Sequence, residues 1–263
     1  MDLGLKGRVA LVGGASRGLG LACARRLAEE GAAIAICSRR PEAIDEAATR
    51  IAAETGADVL GIRADQSTAE GVERMLRETR QRFGRIDILV NNTGGPPPGL
   101  FGDHDDTAWQ AAFEGNLLSV VRLCRGVLAE MTSRGWGRII SNTSFTVKEP
   151  AERLVLSNAL RAAVVALSKT LSREVASRGV TVNCVCPGAF DTERLRRLFA
   201  EQARAQGRRD DEIEADWIAR IPIGRILRPE ELADAVAYLA SERAGGMTGT
   251  CITVDGGMLH GLL

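Results

Sequence analysis

Short apolar runs alternate along the chain with longer segments in which apolar residues recur every three or four positions, the pattern of repeated strand-helix units on a parallel sheet. The runs Val9–Val12, Ala33–Cys37, Val59–Ile62, Ile86–Asn91, Arg138–Asn142, Thr181–Cys186 and Cys251–Val254 predict strands. Helices are predicted between them over 18–30, 41–55, 68–83, 107–132, 154–178 and 229–240. The strand runs are apolar at successive positions rather than alternate ones, as expected of a sheet covered by helices on both faces.

Some boundaries have a chemical cause. Ser67-Thr68-Ala69-Glu70 reads as a capping box with Ser67 as the cap. Pro229 suits a first helical turn, and Glu230 and Glu231 suit its positive end. In the 107–132 helix Trp109, Phe113, Leu117, Val120 and Cys124 form one apolar stripe, widened by Val121, Leu128 and Met131. The 154–178 helix is broader still, with Leu160, Ala163, Val164, Leu167 and Leu171 on one side and Ala162, Val165 and Ala166 on another. Helices apolar over so much of their circumference are buried on two sides, so both are expected at an interface of a homo-oligomer, dimer or tetramer. The charged, arginine-rich segment 191–221 breaks the rhythm and holds a short amphipathic helix around Leu195, Leu198 and Phe199. It reads either as a solvated excursion or as a lid inserted at the carboxyl ends of the strands.

Composition narrows the function. The 34 basic and 34 acidic residues cancel, so no global field favours nucleic acid or an anionic membrane as partner. No stretch reaches membrane-spanning length and the start lacks a signal-like segment, which predicts a cytoplasmic protein. A single domain is expected for the 263 residues. The six cysteines lack paired Cys-x-x-Cys spacing and read as buried small hydrophobes, with no metal site.

The strongest chemical signal follows the first strand. Gly13-Gly14-Ala15-Ser16-Arg17-Gly18-Leu19-Gly20 leads straight into a helix, as in loops whose glycines let the backbone approach a pyrophosphate at a helix N-terminus. Gly14, Gly18 and Gly20 match Gly-x-x-x-Gly-x-Gly, and from here the chain resembles the short-chain dehydrogenase/reductase family over its whole length. The nearest wording is that of the 3-oxoacyl-acyl-carrier-protein reductases. The resemblance implies a single-domain Rossmann-type α/β fold, a doubly wound parallel sheet of about seven strands flanked by helices. It also implies cofactor contacts from Ser16, Arg17 and Leu19 in the loop and from Asp65 and Gln66 after the third strand. Asn92 and Gly94 after the fourth, and Pro187, Gly188 and Thr192 after the sixth, complete the set, with Val254-Asp255-Gly256-Gly257 a typical close.

The end of the second strand, where an acid would accept bonds from a ribose 2′-hydroxyl, reads Cys37-Ser38-Arg39-Arg40. With no acid there, and with Arg17, Arg39 and Arg40 able to surround a phosphate, NADP(H) is preferred over NAD(H).

The proton-transfer site departs from the family. Asn116 matches the family's asparagine and Ser144 its serine, but the tyrosine, 13 residues beyond that serine, is replaced by Ser157, since 157 − 144 = 13. Arg161 stands in the lysine place, where it implies contact with the cofactor ribose as well as a catalytic charge, and the only tyrosine is Tyr238. A serine hydroxyl is far less acidic than a phenol, and arginine does not release its proton. Lys148, Glu149 and His104 are candidate replacement acids, or ordinary loop residues, and Pro96-Pro97-Pro98 is a stiff pocket wall or a rigid loop. Two functions are open: an NADP-dependent oxidoreductase reducing a small carbonyl (3-oxoacyl-like) or oxidising an alcohol, and a silent NADP-binding scaffold or sensor.

Overall fold

The computed structural model describes residues 1–261. Seven strands form one parallel sheet: β1 (Val9–Val12), β2 (Ala33–Ser38), β3 (Val59–Arg63), β4 (Ile88–Asn91), β5 (Gly137–Asn142), β6 (Val180–Pro187) and β7 (Cys251–Val254). Their spatial order, β3-β2-β1-β4-β5-β6-β7, reverses direction between β1 and β4, and a crevice opens there at the carboxyl ends of the strands. The helices are α1 (Gly18–Glu29), α2 (Pro41–Thr55), α3 (Ala69–Phe83), α4 (Asp106–Phe113), α5 (Ser119–Arg134), α6 (Val155–Val175), α7 (Glu193–Gln206), α8 (Asp210–Ala219) and α9 (Pro229–Ala240).

Successive strand residues face opposite sides of the sheet, which divides the core in two. Ala10, Val12, Ile34, Ile36, Ile88 and Val90 pack with residues of α1, α2, α7 and α9. Leu11, Ala35, Leu89, Ile139 and Val182 pack with residues of α3, α5 and α6. Burial on both faces explains why the strands are unbroken apolar runs and why their positions were readable within two residues.

Three expectations need correction. The cap of α3 is Thr68, whose hydroxyl accepts the Gly71 N–H at 3.0 Å, while Ser67 turns its N–H and hydroxyl to Asp65 Oδ1 at 3.0 and 2.7 Å. The 107–132 helix is interrupted by a π turn, Glu114–Leu118, between α4 and α5. The wider turn rotates the expected stripe, so that Phe113 is exposed while Asn116 is buried. Segment 191–221 contains two helices, α7 and α8, joined by ring contact between Phe199 and Trp217, whose centroids lie 5.9 Å apart. The cysteines are buried or half-buried, in keeping with their reading as small hydrophobes, and Cys251, which pairs in register with Cys184, places its Sγ 2.8 Å from that of Cys186.

Among the described residues no helix is long and apolar enough to cross a membrane, and no group of three or more His, Cys, Asp or Glu residues could hold a metal ion.

Candidate active site

The crevice at the β1/β4 reversal is a cleft of about 300 Å³, walled by the loops after β1, β4, β5 and β6 and by α7. Gly14, Arg17, Gly18, Leu19 and Gly20 form one end. Only glycine fits at position 20, because a Cβ there would lie 2.5 Å from Asn92 Nδ2 and 2.6 Å from the Gly14 carbonyl oxygen.

Side-chain amides tie these loops together. Asn92 Nδ2 donates to the carbonyls of Gly13 and Gly14 at 3.0 and 3.1 Å, and Gln66 Nε2 donates to Asn92 O at 3.0 Å. Asn142 Nδ2 donates to Asn92 Oδ1 at 2.8 Å. The end of β5 is thereby fixed to the glycine loop. Gln66 Oε1 and Asn142 Oδ1 are buried and accept no protein hydrogen bond among the described residues.

Ser144, Ser157 and Arg161 all line the cleft. Ser144 caps the short turn Phe145–Val147, its Oγ accepting the Thr146 N–H at 3.2 Å, which leaves its O–H to donate elsewhere. Ser157 and Arg161 lie one turn apart on the same face of α6, both buried. The Arg161 guanidinium donates from Nη1 to Asn142 O at 2.8 Å and from Nη2 to Thr93 O at 3.3 Å. Burial, and secondarily the charge of Arg194, lower its pKa to about 10, so it stays protonated at neutral pH.

Asn116 sits behind the cleft rather than in its lining. In the π turn its Nδ2 donates to Ala112 O at 3.1 Å, and its Oδ1 accepts from Thr93 Oγ1 at 3.2 Å. It therefore braces the Thr93 segment whose carbonyl receives Arg161.

A match to the enoyl-(acyl carrier protein) reductase family model spans residues 14–259. The chain belongs to the short-chain dehydrogenase/reductase family. It is 37% identical over 261 residues to the 3-oxoacyl-acyl-carrier-protein reductase of Vibrio cholerae, covering 97% of this chain and 99% of that one. The L-sorbose reductase of Gluconobacter frateurii, solved with NADPH and L-sorbose, superimposes with a TM-score of 0.95 at 36% identity, each chain covered completely. An actinorhodin polyketide ketoreductase solved with NADPH gives a TM-score of 0.92 at 34% identity, covering 95% of this chain and 97% of that one.

As a short-chain dehydrogenase/reductase the chain brings most of its sequence-picked residues together. Gly94, Pro187, Gly188 and Thr192 line the cleft with the glycine loop and Asn92, and Thr192 also caps α7 by accepting the Leu195 N–H at 3.3 Å. Ser16, Ser38, Arg39, Arg40, Asp65 and Gln66 lie outside the cleft lining, around the ends of β1, β2 and β3. Arg39 and Arg40 are exposed. The replacement acids do not arrive: Lys148 and Glu149 are exposed, and none of His104, Lys148 and Glu149 lines the cleft. Tyr238 lies on α9, also outside the lining.

Sequence reasoning missed Glu193 and Arg194. The Glu193 carboxylate pairs with Arg17 across the cleft, and Arg194 donates to Gly95 O at 3.0 Å and Pro96 O at 3.4 Å. Nothing local distinguishes Arg194 from its neighbours, since it is one of seven arginines in segment 191–221.

Proposed function

We propose that this chain is an NADP(H)-dependent reductase of a small carbonyl compound, running the reverse oxidation where the alcohol is supplied. The supporting observation is the convergence of Ser144, Ser157 and the protonated Arg161 in the cleft that begins at the glycine loop. The residues suit the cofactor. The loop before α1 offers free N–H groups and the positive end of a helix to phosphates. Asn142, which lines the cleft, has in its Oδ1 a buried acceptor with no donor among the described residues, and the end of β2 carries Ser38, Arg39 and Arg40 with no acid to repel a 2′-phosphate. When bound, NADPH supplies the hydride.

The chain's own part is electrostatic. Ser144 donates to the substrate oxygen, and the Arg161 charge, held by two main-chain carbonyls, stabilises negative charge developing there; removing one such donor costs roughly 10²–10³ in rate. Ser157 is too weak an acid to replace a phenol. The proton then comes from water reaching the cleft. Helix α7 serves as the lid, since Glu193 and Arg194 grip the glycine loop and the loop after β4.

A second reading, a silent NADP-binding scaffold, is favoured by one observation. Among the described residues the only carboxylate lining the cleft, that of Glu193, is engaged by Arg17. Single-turnover oxidation of bound NADPH with 3-oxoacyl thioesters, ketones and aldehydes separates the two. Turnover above background in the wild type supports the reductase. Turnover only after Ser157→Tyr with Arg161→Lys establishes the scaffold.

A further inference from the structure

The charge of the cleft wall is lopsided. Among the described residues Arg17, Arg161, Arg194 and Arg197 line it, against the single carboxylate of Glu193. That carboxylate is shared by two of them: it pairs with Arg17, and its Oε1 lies 3.7 Å from Arg197 Nη2. Arg161 and Arg194 have no carboxylate partner among the described residues. Each instead spends N–H donors on two neutral main-chain carbonyls, which fixes its position and leaves its charge whole. A guanidinium has five N–H donors, so each retains donors for a ligand. Glu201, two turns along α7 from Arg194, lies outside the cleft lining.

The seat of Arg194 is built into the chain at a second point. Gly95 leaves room for it: a Cβ at position 95 would lie 2.2 Å from Arg194 Nη2 and 2.4 Å from Cζ. Beside it the wall turns apolar, through Phe145, Leu154, Leu198 and Trp217. The glycine loop, where phosphates of a dinucleotide belong, is served by Arg17, whereas Arg194 is fastened to the loop after β4.

We propose that the substrate carries a compact oxyanion, a carboxylate or a phosphate, which Arg194 binds at the cleft mouth while Arg161 and Ser144 hold the carbonyl. This rests on the reductase reading for the carbonyl, though the oxyanion seat stands on the arginines alone. A short oxo acid or keto phosphate satisfies it; a neutral ketone does not, nor does a thioester with no free anion near its carbonyl. Arg194 suits the task because its planar fork takes two oxygens of one anion.

The test measures binding apart from turnover. The full chain, with and without NADPH, is titrated by calorimetry with 4-methyl-2-oxopentanoate, its methyl ester, dihydroxyacetone phosphate and dihydroxyacetone. At least one anion should bind about tenfold or more tightly than its uncharged counterpart. That preference should vanish both in Arg194→Gln and in Gly95→Ala, which keeps the arginine but displaces it. It should persist in Arg196→Gln, which alters an exposed arginine outside the cleft lining. Preference for the carboxylate alone or the phosphate alone supports the proposal and names the oxyanion. Equal binding of charged and uncharged forms, a preference that survives Arg194→Gln, or no binding of any of the four overturns it. NADPH oxidation is followed separately. Selective anion binding without NADPH oxidation removes the reductase reading and leaves the oxyanion seat standing, while equal NADPH oxidation with the charged and neutral partners does the reverse.

Discussion

Arg161 and Ser157 set how the cleft responds to pH. The arginine, with its pKa lowered to about 10 by burial and by Arg194, carries its proton at every pH below that value. The serine hydroxyl does not ionise in the same range. The single-turnover rate of NADPH oxidation should therefore be flat between about pH 6 and 8.5, within roughly twofold. Placing a phenol and an ammonium there by Ser157→Tyr with Arg161→Lys introduces a titrating acid, so the rate should fall as pH rises through its pKa, by up to about tenfold per unit. A wild-type profile with that slope would show that another group supplies the proton. Gly20 allows a second prediction at this scale. Since an added Cβ meets Asn92 Nδ2 at 2.5 Å, Gly20→Ala should weaken NADPH binding about tenfold or more, read by quenching of protein fluorescence. The glycines, Ser144, Ser157 and Arg161 were legible because each has a fixed offset from a recognisable strand or helix. Arg194 was not, because its role depends on where α7 folds back and on an empty Cβ position at Gly95, 99 residues earlier.

At the scale of elements, legibility followed burial. Strands buried on both faces print an unbroken apolar run, and α9 prints its start as Pro229-Glu230-Glu231. The π turn at Glu114–Leu118 printed nothing, because one widened turn leaves the three-and-four spacing of its flanks intact. Asn116 is its chemical mark: a buried amide that bonds Ala112 O and Thr93 inside an otherwise apolar stretch. The start of α9 carries a prediction of its own. Glu231 accepts the Arg228 N–H at 2.7 Å and two Arg225 donors at 2.8 and 2.6 Å, and these bonds, Arg225 first, lower its pKa to about 2 from an ordinary 4.5. A carboxylate depressed in the folded state stabilises it fully above its unfolded value and loses that contribution as pH falls toward the folded one. Glu231→Gln should thus cost about 1 kcal/mol at pH 7 in urea unfolding. The gap between variant and wild type should close as pH drops from about 4.5 to 2.

The whole molecule is a sheet between two helical layers, and the layers differ in what they leave outside. Helix α6 buries Leu160 and Val164 toward the chain, while Ala162 and Ala166 are exposed on its outer side and Val165 is half-buried. Next to it, across the π turn, Phe113 is 37% exposed, and Leu117 and Val121 are half-buried. This outer face carries the second apolar side that the sequence pattern singled out. Covering it removes apolar surface from water at roughly 25 cal/mol per Å², and matched small residues such as Ala162 and Ala166 let two helices approach closely. We propose a two-fold contact between copies through α5 and α6. Light scattering should then give a native mass that is a multiple of the single chain. Ala166→Glu, which sets a charge at an already exposed position, should shift the mass toward one chain. NADPH binding should survive that change, because Ala166 lies outside the cleft lining. A wild-type mass equal to one chain would remove the interface, and the apolar outer side of α6 would then need another partner.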